Sequence, residues 1–198
     1  MGCLKTIIKI IIIALAIVGF KSLGGLDMFK DIKFFEKPSQ EKLQNESSDV
    51  ADFSNINNEY KLNKRVNIMG YKAVVAEHKG SGQKMFVLKT GKKTLLTKND
   101  FTTKEIDKKL EELVQKVQYQ FIRVEDFKII ERGSIYTMGQ NVPYVRYEAN
   151  TVNLPAPTIQ GIIGVATDKN NESKLILSLN DGIKYSQIIT QQFFKDVK

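Results

Sequence analysis

Residues 159–198 read IQGIIGVATDKNNESKLILSLNDGIKYSQIITQQFFKDVK, and this stretch decides the fold. IQGIIGVAT (159–167) and KLILSL (174–179) are short, apolar and rich in β-branched residues, and the Asn-rich residues 168–173 between them supply a reversal. The spacing predicts a β-hairpin. Gly161 and Gly164 fall inside its first strand, where a missing side chain signals close backbone approach or a bulge rather than a nucleotide loop. After residue 183 the period changes. Tyr185, Ile188, Ile189, Phe193 and Val197 share one helical face, with Gln187, Gln191 and Lys195 opposite, so residues 183–197 are expected to form a terminal amphipathic helix.

Working upstream, YVRYEANT (144–151) alternates, sending Tyr144, Arg146 and Glu148 to one side and Val145, Tyr147 and Ala149 to the other. Before it, residues 127–131 and 135–138 read as short strands around a turn at Gly133 and Ser134, with Pro143 ahead of the next strand and Pro155 and Pro157 bounding a loop. Residues 102–121 carry the clearest helical pattern, with Ile106, Leu110, Leu113, Val114, Val117 and Phe121 on one face. Thr102 and Glu105 form a capping-box pair at its start. Residues 66–77 and 84–90 read as strands joined by the turn residues His78 to Gln83, and Gly91, Lys92 and Lys93 turn the chain again. These elements imply an α+β domain, an antiparallel sheet backed by two amphipathic helices.

The order hairpin, long helix, strands and terminal helix resembles the PsbP-like superfold, the group that also holds the Ran-release factor and DcrB-type bacterial envelope proteins. FKIIERGSIYTMGQNVPYVRYEAN (127–150) is similar to that group's strand, turn and strand. KLILSLNDGIKYSQIITQQFFKDV (174–197) is similar to its last strand running into a terminal helix with paired aromatics. The resemblance spans the C-terminal two thirds and carries no catalytic signature. It implies a binding or assembly module rather than an enzyme, and it transfers no metal-binding or partner-binding residue.

The N-terminus is different in kind. Residues 1–25 read MGCLKTIIKIIIIALAIVGFKSLGG, and no charge interrupts Ile10 to Phe20. The apolar run from Ile7 to Phe20 spans only about 21 Å as a helix, and a bilayer core needs roughly 30 Å. Snorkelling Lys9 and Lys21 extend the span to residues 4–26, which makes the segment a single transmembrane helix and a signal anchor. The alternative is a secreted protein whose signal peptide is cleaved at Ala14-Leu15-Ala16, although Ile17 to Phe20 continue the apolar run past that site. Gly2 and Thr6 also fit an acylation pattern with Cys3 beside them, but an acylated protein needs no Ile-rich segment behind its anchor. Lys5 and Lys9 favour a cytoplasmic N-terminus and an exported body. Residues 26–35 have the spacing of a short amphipathic helix, and the polar residues 36–58 read as a flexible tether. The exported domain is then residues 59–198.

Composition narrows the function. The chain has 198 residues, 42% of them hydrophobic and 26% charged, with a net charge of +8. One Cys and one His leave no room for a Cys/His metal site, a disulfide scaffold or a His-based triad. His78 sits alone beside a turn, and Ser186 lacks the G-x-S-x-G elbow, so a hydrolytic envelope enzyme is the weakest alternative. Residues 59–198 carry the whole +8, which suits an anionic surface or polymer. A nucleic-acid partner is disfavoured because Arg65, Arg123, Arg132 and Arg146 are scattered. The leading expectation is a membrane-anchored, extracytoplasmic binding or assembly module without catalytic residue, cofactor or metal. Its partner is another envelope protein or an anionic surface. The candidate contact residues are Lys92 and Lys93 near the hairpin end, with Tyr144 and Arg146 on an exposed strand face.

Overall fold

The structure, a computed structural model, describes residues 39–68, 71–89, 96–115, 123–152, 156–168 and 172–198. The leader, residues 26–38, the distal part of the long helical pattern, and Lys92 and Lys93 lie outside the described residues. No described helix is long and apolar enough to cross a membrane.

The described elements run α1 (Gln40–Ser47), β1 (Tyr60–Ile68), β2 (Tyr71–His78), β3 (Lys84–Lys89), a 3-10 turn (Lys98–Thr102), α2 (Glu105–Gln115), β4 (Arg123–Thr137), β5 (Gln140–Val152), β6 (Thr158–Thr167), β7 (Ser173–Asp181) and α3 (Gln187–Asp196). The strands form one antiparallel sheet ordered β1-β2-β3-β7-β6-β5-β4. The α+β class is therefore as expected. The topology has one long step: β3 lies beside β7, while β4 lies at the far edge. The segment between them must cross the sheet, and it lays α2 over one face on the way.

Both faces are buried. Under α2 and the 3-10 turn, Phe101, Ile106 and Leu110 pack on Val75, Phe86, Leu88, Val145, Tyr147, Ile163 and Leu177. On the other face, Leu43, Phe53, Phe193, Phe194 and Val197 cover Leu62, Val74, Met85, Val87, Tyr144, Ile162 and Ile176. Three described helices therefore contribute where two were expected, and the central strands β6 and β7 have no solvent face, which is why they read as unbroken apolar runs.

The extra helix comes from the stretch expected to be a tether. Ser39 caps α1 by accepting from the Lys42 amide at 3.2 Å. Leu43, Val50, Ala51 and Phe53 then enter the core. The Gln40 carboxamide donates to the Leu62 carbonyl at 2.6 Å and accepts from the Leu62 amide at 2.8 Å, so a side chain occupies the pairing position of a neighbouring strand. The folded domain therefore includes residues 39–58, which were expected to be tether.

Three local expectations change for physical reasons. Gly133 and Ser134 do not turn: β4 runs through them, opposite Tyr144 and Pro143. Gly133 is there because the Tyr144 ring lies across it, and a Cβ would meet the phenol oxygen at 2.7 Å. The reversal is Met138-Gly139, both at positive φ (52° and 75°), as a two-residue hairpin between right-twisted strands demands. Residues 66–77 are two strands rather than one, since β1 and β2 pair through to Ile68 and Tyr71. The 3-10 turn takes Thr102, so α2 starts at Glu105, and the side-chain cap lies upstream, where the Thr97 amide donates to Asp100 at 2.7 Å.

Candidate functional site

The alternation along β5 holds, and it places Tyr144, Arg146 and Glu148 on the α3 face of the sheet. The exposed-strand expectation does not hold for Tyr144, which is only 3% exposed beneath the start of α3. Its hydroxyl donates to a Glu131 carboxylate oxygen at 2.9 Å and accepts from the Gln187 carboxamide. Arg146 is half-buried beside it. Its Nη1 donates to the other Glu131 oxygen at 3.3 Å, and its Nη2 donates to Gln160 at 2.7 Å. The guanidinium sits 5.3 Å from the Tyr185 ring centroid, within cation–π range. Gln160 in turn donates to Glu148 at 2.8 Å. A chain of polar groups thus runs across β4, β5 and β6 from Glu131 to Glu148.

Sequence reasoning named Tyr144 and Arg146 but missed Glu131, Gln160, Tyr185 and Gln187. Glu131 and Gln160 were out of reach because the cross-strand register is non-local. Helical spacing predicts Tyr185 on the apolar face of the terminal helix. In the structure that helix starts at Gln187, and the Tyr185 hydroxyl meets Ser178 and Thr190, each at 3.3 Å. The same shift leaves Ile183 and Ile188 exposed, at 96% and 67%.

The network ties β4, β5 and β6 to the start of α3. Burial, then the hydrogen bond to Glu131, pushes the Tyr144 phenol up to about 12, and burial raises Tyr185 against the opposing pull of Ser178, Thr190 and Arg146. Both phenols keep their protons at neutral pH. The Arg146 Nε and Gln187 Oε1 are buried without a hydrogen bond, so one donor and one acceptor stay open in a cluster otherwise paired with itself. His78 closes its turn: its Nδ1 accepts from the Ser81 amide at 3.1 Å and lies 3.0 Å from the Ser81 hydroxyl, with the ring against Tyr60. No group of three His, Cys, Asp or Glu side chains among the described residues is arranged to hold a metal ion.

The remaining charge clusters join elements. Asp49 receives Arg65 at 2.9 Å and Lys72 at 2.5 Å, tying α1 to β1 and β2. Burial alone would raise its carboxyl, but those two hydrogen bonds hold it below the usual range. Asp100 is likewise held low, its burial outweighed by Lys109 and Thr97. The buried Lys174 reaches Asp168 at 3.1 Å and Glu172 at 3.4 Å and closes the β6–β7 hairpin.

Buried phenols set the alkaline limit of the fold. Burial raises Tyr60 and Tyr144 to about 12 and lifts Tyr147 and Tyr185 as well. The folded state holds these protons more tightly than an unfolded chain, whose phenols titrate near 10. The stability they confer is complete below about pH 10 and drains as pH rises through the folded values. Carboxylates set the acid limit in the opposite sense: Asp49 and Asp100 lose their contribution as pH falls below about 4. Urea unfolding midpoints are expected to be flat from about pH 6 to 9 and steepest in their decline between about pH 10 and 12. A midpoint unchanged through pH 12 would contradict the burial of these four rings.

No protein-family model matches the chain, and no curated protein matches it.

Proposed function

We propose that this chain is a membrane-anchored module that works outside the cytoplasm and binds another envelope protein or an anionic surface without transforming it. The carrying observation is the uncharged run from Ile10 to Phe20, set shortly before a folded domain. The described part of that domain begins at Ser39, and the residues 27–38 before it could reach at most about 40 Å if fully extended. A domain on so short a leash stays at the bilayer surface. The Tyr144–Arg146 network supports binding over catalysis, because its polar groups pair with one another and its phenols stay protonated. The PsbP-like resemblance points the same way.

Cells expressing the full chain with a C-terminal tag test this reading. The protein is expected to sediment with membranes and stay there through a high-salt wash, and external protease is expected to reach the domain in intact spheroplasts. Full-length chain with its leader intact in a high-speed supernatant would overturn the anchor. Protection of the tag in sealed cells would overturn the export.

A further inference from the structure

The turn between β7 and α3 carries an isoleucine where turns ordinarily take Asn, Asp, Gly or Ser. Ile183 is 96% exposed, yet its backbone is fixed. The Gly182 amide donates to the Thr158 carbonyl at 2.8 Å, the Ile183 amide to the Asp181 carboxylate at 3.2 Å, and the Lys184 amide to the Asp181 carbonyl at 2.8 Å. The Asn180 carboxamide donates to the Lys184 carbonyl at 3.1 Å and to the Ser81 carbonyl at 3.4 Å, which ties this turn to the one between β2 and β3. A hydrogen-bonded turn thus holds an apolar side chain out from the fold. Ile188, in the first turn of α3, is 67% exposed. Helical side chains lean toward the helix N-terminus, so Ile188 leans back toward the same turn.

The register places these residues at the end of the sheet where the described chain begins. Gln40 lies at Leu62, near the Tyr60 end of β1, and α1 leads away from that end, since Asp49 beyond it reaches Arg65 and Lys72. Tyr60 pairs with His78, Glu77 with Lys84, and Lys84 with Leu179, so the starts of α1 and β1 and the finish of β7 share one end. The β4–β5 hairpin at Met138 and Gly139 lies at the other. The uncharged run of the leader precedes Ser39, so an anchored domain has its Ile183 end nearest the bilayer. Charge does not single out this end, because exposed Lys79 and Lys184 stand there with Glu59, Glu125 and Asp126. The apolar side chains do. A tether keeps the bilayer at high effective concentration, so a small apolar contact is enough to orient the domain.

We infer that Ile183 and Ile188 form a membrane-contacting tip, which enters the headgroup region of the bilayer holding the leader and turns the β4–β5 hairpin away from it. This deepens the membrane reading and rests on it.

The test uses the full chain with Cys3→Ser, reconstituted in vesicles of phosphatidylcholine and phosphatidylglycerol that carry nitroxide-labelled headgroups. A fluorophore is attached through Ile188→Cys, with Ile183 kept, or through Asn141→Cys, an exposed position beside the β4–β5 hairpin. The probe at residue 188 is expected to be quenched by the labelled lipid several-fold more than the probe at 141. Adding Ile183→Ser is expected to remove most of that difference while leaving the circular dichroism unchanged, since the side chain it replaces packs on nothing in the fold. Equal quenching at the two positions, in chain that floats with the vesicles, overturns the tip and leaves the anchor standing. So does quenching at 188 that is indifferent to Ile183→Ser. A probe at 188 shielded from soluble iodide as well as from the labelled lipid overturns it too, and places protein over the two isoleucines. Chain that fails to float overturns the anchor, and the tip with it.

Discussion

Gly161→Ala is expected to destabilise the domain by about 3–5 kcal/mol, beyond the usual cost of overpacking, because the added methyl meets backbone rather than a movable side chain. Gly161 lies in β6 between Tyr147 of β5 and Leu179 of β7. A Cβ there would stand 1.9 Å from the Ser178 carbonyl oxygen and 2.7 Å from the Tyr147 phenol oxygen. The space is already in use, since the Tyr147 hydroxyl donates to that carbonyl at 3.2 Å. To admit the methyl, β7 must shift within a sheet packed on both faces, and the buried Tyr147 hydroxyl loses its acceptor. Gly82 and Gly139 are the internal controls: both have positive φ (71° and 75°) but nothing within 4 Å of a new Cβ. Alanine at either is expected to cost about 1 kcal/mol, from backbone strain alone. Urea unfolding of the three variants checks the order, and a Gly161→Ala cost as small as the controls would remove the close approach of β6 to β7.

That glycine was legible in the sequence, and so was much around it. The hairpin of β6 and β7, the face alternation of β5 and the terminal helix all rest on periodicity that local residues carry by themselves. What escaped was non-local. Nothing in the string around Gly133 reveals that Tyr144 from the next strand lies over it, so the glycine read as a turn. The start of α3 was set four residues early because Tyr185 and Ile188 fit a helical face, whereas Tyr185 reaches inward to Ser178 from an extended segment and Ile188 points to solvent. The candidate site shows the same limit. Alternation put Tyr144 and Arg146 on one row, but whether that row faced water depended on where α3 docked. Lys92 and Lys93 rest on charge alone and lie outside the described residues.

The stretch that sequence composition treated as a tether yields the second large effect: Phe53→Ala is expected to cost about 3–5 kcal/mol, the range for removing a fully enclosed aromatic side chain. Phe53 is 1% exposed, its ring 6.5 Å from that of Phe193. Its neighbourhood is also clamped by backbone: the Asp52 amide donates to the Lys198 carbonyl at 2.7 Å, and the Lys198 amide returns a bond to Asp52 at 3.0 Å. A flexible linker has no such reciprocal pairing. Composition hid this because Leu43, Val50 and Phe53 are isolated apolar residues in a run of Ser, Asn, Gln and acids, too sparse to produce a periodic signal. Each fills a gap at the margin of the core that α3 leaves open. If residues 36–58 were a tether, Phe53→Ala would leave the urea midpoint unchanged, as Ile183→Ala is expected to do from its 96% exposed position. A loss at Phe53 with none at Ile183 places residues 43–53 in the folded core.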